Sequence, residues 1–139
     1  MITLHDHQLD LVDRVRQSMA GGNRAILIQL ATGGGKSVVS AGLIQRALEK
    51  GFKSAFVVPR RELVRQMAKT FNDFEMPFSY VAAGYEFNPF SRLHVCTSGT
   101  LVNKLERPAP KIVFIDETHY GGAALDKIIR YYTCHWVAM

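Results

Sequence analysis

The segment Ala31-Thr32-Gly33-Gly34-Gly35-Lys36-Ser37 brings together residue types suited to holding phosphate. Consecutive glycines let backbone N–H groups turn inward around phosphate oxygens, and a helix starting behind them adds its positive dipole end. Lys36 would then reach the β- and γ-phosphates of a nucleoside triphosphate. The Ser37 hydroxyl suits Mg²⁺, a hard ion that takes oxygen ligands from protein and nucleotide together. Leu30 stands where the strict pattern has a glycine, which leaves the Gly-Lys-Ser chemistry untouched. The plainer reading is a glycine loop that only turns the chain. A second group, Val113-Phe114-Ile115-Asp116-Glu117, is an apolar run that ends in two acids. In the chemistry these residues suggest, Asp116 holds the Mg²⁺ through a metal-bound water, and Glu117 orients and deprotonates the water that attacks the γ-phosphate. Taken alone, such a pair is more often a helix N-cap with a solvated neighbour.

These groups need elements to position them. Leu9, Val12, Val15 and Met19 recur at helical spacing and predict a helix over 8–19, ending at Gly21-Gly22. Ala25 to Leu30 reads as a strand, the glycines as a loop, and Val38 to Leu48 as a helix. The pattern recurs, with strands at 54–58, 78–82, 93–97 and 111–115 and helices at 60–74 and 123–132. A short helix follows Thr97, a loop is expected at Pro108 and Pro110, and a last apolar stretch runs from Cys134 to Met139. Short apolar strands alternating with helices imply parallel pairing through right-handed crossovers. The expected fold is α/β with a mainly parallel sheet, helices on both faces, and ligands at the strand C-terminal ends.

Composition bounds the partners. The 139 residues carry a net charge of +5 and 47% hydrophobic residues, as expected of one mildly basic globular domain. Apolar runs reach about five residues, far below the roughly 18 of a membrane span, and no export signal is visible near Met1. Cys96 and Cys134 each sit in an apolar run, which suits buried reduced thiols and a cytoplasmic setting better than a disulfide framework. His94 and Cys96 face the same side of a strand, but no further ligand pair completes a zinc set. Tyr85, Phe87 and Phe90 are expected to cover the core rather than stack on bases, and Tyr131, Tyr132 and Trp136 to pack.

In this order and spacing the motifs resemble the first RecA-like domain of a superfamily-two helicase of the DExH type, in its repair and restriction branch. Asp116-Glu117-Thr118-His119 is similar to the DEAD/DEAH box, and Pro59-Arg60-Arg61-Glu62-Leu63 with Gln66 to the Pro-Thr-Arg-Glu-Leu motif. Thr97-Ser98-Gly99-Thr100 falls where the family has a Thr-Pro-Gly-type motif. Leu4-His5-Asp6-His7-Gln8 resembles the adenine-reading motif, with His5 in place of its arginine. The resemblance implies a three-layer P-loop NTPase fold, ATP and Mg²⁺ as ligands, and Gln8, whose amide offers a donor and an acceptor, at the adenine edge. Thr32, Gly33, Gly34, Gly35, Lys36 and Ser37 would then cradle the phosphates. Arg60, Arg61, Thr97, Ser98, Gly99 and Thr100 would meet the sugar-phosphate backbone, and His119 would link the two sites.

The resemblance also implies a parent chain with a second RecA-like domain, the present residues stopping short of the family's Ser/Thr-Ala-Thr motif. On its own the domain is then expected to bind ATP weakly and hydrolyse it slowly or not at all. On the nucleic-acid side, Arg65 and Lys69 continue a basic stripe from Arg61, though Glu62 beside it also suits a solvated helix face. No feature suggests base-edge readout, so binding should be sequence-independent and salt-sensitive, with DNA favoured over RNA. The function implied is the ATPase lobe of a helicase. The alternatives are a duplex translocase that does not separate strands, and a nucleotide-dependent clamp that has lost hydrolysis.

Overall fold

A computed structural model describes residues 5–22, 25–27, 36–106, 110–116, 122–132 and 135–138; of Ala25, Ile26, Leu27, Lys36, His135, Trp136 and Ala138 it describes the backbone alone. The elements run α1 (Asp6–Ala20), β1 (Ala25–Leu27), α2 (Lys36–Glu49), β2 (Ser54–Val58), α3 (Arg61–Asp73), β3 (Ser79–Val81), β4 (Leu93–Thr97), α4 (Ser98–Leu101), β5 (Ile112–Ile115), α5 (Ala123–Tyr131) and β6 (His135–Ala138). The six strands form one sheet in the order β1-β6-β5-β2-β4-β3, and all five pairings are parallel.

This order follows from the handedness of crossovers. Stepping from β1 through β2 to β3 moves one way across the sheet, and stepping from β4 through β5 to β6 moves back. Right-handed connections therefore place the helices of the two halves on opposite faces. Side-chain alternation fits that arrangement. Phe56, Val58, Val95 and Phe114 share a core with Val12, Ile44, Val64 and Phe71 from α1, α2 and α3. Ala55, Val57, Cys96, Val113 and Ile115 turn the other way, onto Leu101 of α4 and Ile128 of α5. The result is three layers around a sheet buried on both sides, which is why every residue of β2 and β4 is buried and most are apolar.

The helix ends are set locally. After α2, the Gly51 N–H donates to the Leu48 carbonyl and the Phe52 N–H to the Ala47 carbonyl, with Gly51 at φ +85°, so the chain reverses on a residue without a Cβ. The end of α3 repeats that geometry. Glu75 and Met76 donate to Asn72 and Phe71, and Glu75 takes φ +57° at a cost of about 1 kcal/mol relative to glycine. The edge strand β3 is covered by the chain that follows it: the Tyr80 N–H donates to the Glu86 carbonyl, and the Asn88 N–H to the Ser79 hydroxyl at 2.6 Å.

Two expectations divide here. Tyr85 and Phe87 pack against the cores, whereas Phe90, expected beside them, is 89% exposed, because Asn88 turns the chain outward by accepting the Phe90 N–H on its side-chain oxygen. Tyr132 is buried and donates its hydroxyl to the Leu105 carbonyl, while its neighbour Tyr131 stands half exposed on the outer side of α5.

Cys96 is buried, and burial pushes its thiol far above the usual range. His94, on the same face of β4, is 1% exposed, and neither ring nitrogen has a hydrogen-bond partner among the described residues. Burial is the main reason its pKa is lowered; the Ser91 backbone pulls it up, and the Lys53 charge lowers it further. The unfolded chain therefore takes up the His94 proton more readily than the folded one. The stability contribution is full above about pH 6.5 and is lost as pH falls from there toward the lower folded-state value. His94→Leu is expected to reduce the drop in Tm between about pH 7.5 and about pH 5.5, and an unchanged drop would contradict that.

Candidate nucleotide and nucleic-acid site

In a parallel sheet all strand C-termini form one edge, and the register fixes which residues leave it together. Ile115 of β5 lies opposite Val57 of β2 and Ala138 of β6, Ala138 lies opposite Leu27 of β1, and Val58 of β2 lies opposite Thr97 of β4. The C-terminal ends of β1, β5, β2 and β4 therefore lie along one edge, with Asp116 one residue short of the level of Pro59 and Ser98. Asp116 is half-buried, with its backbone N–H donated to the Val57 carbonyl at 2.9 Å. It lines one narrow cleft with Pro59, Ser98 and Leu125.

β1 ends at the same edge, and the next described element, α2, runs from Lys36 and carries Ser37, exposed, in its first turn. One strand, β6, lies between β1 and β5, so the two strand tips stand roughly 10 Å apart. A bound triphosphate with its metal ion spans a gap of that order, and the donor set of hydroxyl and carboxylate suits a hard cation. Thr32, Gly33, Gly34, Gly35, Glu117 and His119 lie outside the described residues, as does the Lys36 side chain. A larger cleft of about 230 Å³, lined by Val12, Met19, Leu43, Ala47 and Phe114, lies toward the other end of α1 and α2 and holds none of the predicted groups.

Gln8 sits in the first turn of α1, 5% exposed, and its amide oxygen accepts the His5 backbone N–H at 2.9 Å. One of the oxygen's two lone pairs is thus spent on capping the helix; the other remains, together with the NH₂ donors.

The two predicted backbone-contacting groups fall at the ends of neighbouring strands, β2 and β4. Arg60 is the extended residue before α3, and Arg61, exposed, is its first residue. The Arg61 guanidinium lies 5.6 Å from the centre of the Tyr85 ring. Farther along α3, Lys69 is taken by Asp73 in an exposed pair at 3.3 Å. Thr97 precedes the single turn of α4, and its buried side chain makes no capping hydrogen bond, so helix capping does not account for this threonine. Gly99 faces open space: a Cβ there would have no neighbour within 4 Å.

Sequence reasoning missed the partnership of Arg61 with Gly84 and Tyr85. Those residues are far apart in the chain, and only the path of the loop after β3 joins them.

The comparisons with known proteins decide the family. The whole chain, residues 1–139, matches the family described as the Type III restriction enzyme, res subunit. The chain belongs to that family. Among curated proteins, this res-subunit domain is 30% identical over 134 residues to a Saccharomyces cerevisiae protein named as the ATP-dependent helicase IRC3, with 86% of the chain and 19% of the relative aligned. It is 32% identical over 108 residues to a 51.5 kDa protein of a Lactococcus phage, covering 76% of the chain and 21% of the relative. The chain thus spans about a fifth of the length of these relatives.

Its fold is that of the UvsW helicase from bacteriophage T4, with a TM-score of 0.74, 24% identity, and 96% of this chain and 51% of that one covered. It is also that of the SWI2/SNF2 ATPase core of Sulfolobus solfataricus, solved in complex with double-stranded DNA, with a TM-score of 0.76, 13% identity, and 98% and 31% covered. The chain thus falls within a family of helicase-type ATPase domains and has the fold of the N-terminal RecA-like domain of superfamily-two helicases.

Proposed function

We propose that this domain is the ATP-binding lobe of a DNA-dependent motor, with Mg-ATP held between the Lys36 loop and the Asp116 strand tip. The observation that carries the reading is the common sheet edge at which β1 and β5 end with one strand between them, β1 preceding the Lys36 loop in sequence and β5 followed by Asp116. In this reading Thr32, Gly33, Gly34 and Gly35 supply backbone N–H groups to the phosphates, and Lys36 neutralises their charge. Ser37 and, through water, Asp116 hold the metal, and Glu117 takes the proton of the attacking water. Gln8 faces the adenine with its remaining donors and lone pair. Bound Mg-ATP supplies the leaving group and a cation that offsets charge on the transferred phosphoryl oxygens.

Arg60, Arg61, Thr97, Ser98, Gly99 and Thr100 grip the sugar-phosphate backbone of DNA without reading bases, and His119 couples the two sites. Support comes from the Arg61 guanidinium, which makes no ion pair among the described residues, the Thr97 side chain, which makes no capping hydrogen bond, and the open space at Gly99. A second RecA-like domain of the same parent closes the cleft, so the lobe alone binds ATP weakly and turns it over slowly or not at all. Adding DNA to the full-length protein is expected to raise its ATP turnover at least several-fold. Turnover that is indifferent to DNA, or as fast in the isolated 139 residues, would refute the reading.

Duplex translocation without strand separation is a second reading, favoured by the likeness to an ATPase core bound to double-stranded DNA and to the type ISP restriction-modification enzyme LlaGI, solved with a DNA substrate mimic (TM-score 0.74, 17% identity, 99% of this chain and 17% of that one covered). A strand-displacement assay beside a triplex-displacement assay on the full-length protein separates the two. Displacement of the third strand alone supports translocation.

A further inference from the structure

We infer that Tyr85 and Gly84 are positioning residues that hold the Arg61 guanidinium ready for a nucleic-acid phosphate. The inference rests on the reading of Arg61 as a backbone contact and adds what makes that contact effective. Arginine is a long, flexible side chain, and a phosphate that must first immobilise it is bound less tightly than one that meets it already fixed. Here the Arg61 guanidinium lies over the Tyr85 ring at 5.6 Å, and its Nη2 occupies the space a Gly84 Cβ would take, 2.6 Å from that position. Gly84 has φ +83°, a left-handed conformation that brings the loop close beneath the guanidinium without a side chain in the way.

The platform is rigid. Tyr85 stacks on Tyr80 at 4.5 Å, Tyr80 meets Phe78 edge-on at 5.1 Å, Phe78 meets Phe71 at 5.7 Å, and Phe71 is fully buried between α3 and the sheet. A chain of rings thus ties a surface arginine to the core.

A cation–π contact leaves a guanidinium's N–H donors without an oxygen partner and so able to meet a phosphate. Among the described residues no carboxylate pairs with Arg61, and none of its N–H groups has a hydrogen-bond partner; Glu62, its neighbour, makes no ion pair with it. The cation is held in place with its donors unspent, at the N-terminal end of α3, where the helix adds further positive potential. A phosphate diester of a nucleic-acid strand, planar in its two free oxygens, matches that fork.

The test is fluorescence anisotropy of a labelled oligothymidylate with the 139-residue chain at low salt. Arg61→Ala is expected to weaken binding and lower the salt slope by about 0.7, the value of one lost contact on a single strand. Tyr85→Leu should weaken binding roughly 2- to 5-fold, as befits an exposed cation–π pair, and Tyr85→Phe, which keeps the ring, should restore it. Gly84→Ala should weaken it by displacing the guanidinium without touching the ring stack, which keeps the inference testable if Tyr85→Leu fails to fold. The double variant Arg61→Ala with Tyr85→Leu should bind no more weakly than Arg61→Ala alone. If Arg61→Ala weakens binding while Tyr85→Leu and Gly84→Ala leave it unchanged, or if the double variant is additive, the inference fails and the reading of Arg61 stands. An Arg61→Ala variant that binds as tightly as the parent sequence overturns both.

Discussion

Lys36→Ala is expected to lower the ATP turnover of the full-length protein by about 100-fold or more, on the scale of removing one preorganised charge-stabilising donor from an active site. In the proposed site an ammonium at the β- and γ-phosphates would have no substitute, because glycines offer only backbone N–H groups to the phosphates. Alanine is the best helix former and α2 opens at this position, so the substitution removes the charge without disturbing the element that carries it. Lys36→Arg should also be impaired, because a bulkier planar fork does not occupy the place of a compact ammonium. Steady-state phosphate release measures the effect, and an unchanged thermal unfolding curve shows that the fold is intact. Turnover within a few-fold of the parent protein would mean that Lys36 does not face the triphosphate.

The second large effect is on stability. Phe56 lies at the middle of β2, opposite Val95 of β4 and Phe114 of β5, and its ring meets Phe71 of α3 edge-on at 6.2 Å. It is among the largest fully buried side chains, so truncation opens a cavity where strand and helix are both committed elsewhere and cannot close it. Phe56→Ala is expected to cost about 3 to 5 kcal/mol, a large fraction of the roughly 5 to 15 kcal/mol that holds a domain of this size together. Phe52→Ala, at a partly exposed position just after α2, should cost far less. Urea unfolding followed by circular dichroism gives both values. Comparable losses at the two positions would contradict the assignment of Phe56 to the centre of the core.

What could be read in advance divides along physical lines. The spans of β2 and β4 were legible to the residue, because a strand buried on both faces is mostly apolar, and α1 and α3 were legible within about two residues from helical spacing. The strand order was not legible, since parallel partners far apart in the chain leave no local trace. Within the site, the phosphate chemistry proposed for Lys36 and Asp116 rests on local patterns, glycines before a lysine and acids after an apolar strand.

The spent lone pair of Gln8 and the ring beneath Arg61 were not legible. The first depends on how His5 caps α1, and the second on a loop that returns along the sheet edge. Phe90 shows the converse: an aromatic residue in a cluster of three looks like core, yet an asparagine two positions earlier turns it to solvent.

The central claim is that one metal ion bridges the nucleotide and the acid at the end of β5. Equilibrium binding of a fluorescent ATP analogue, titrated with and without Mg²⁺ in the parent sequence and in Asp116→Asn, addresses it most directly. The account predicts that Mg²⁺ tightens binding to the parent sequence about 10-fold or more, as a carboxylate-held ion neutralising phosphate charge should, and that most of this gain disappears in Asp116→Asn. Equal gains from Mg²⁺ in both proteins would mean that Asp116 and the triphosphate do not share an ion.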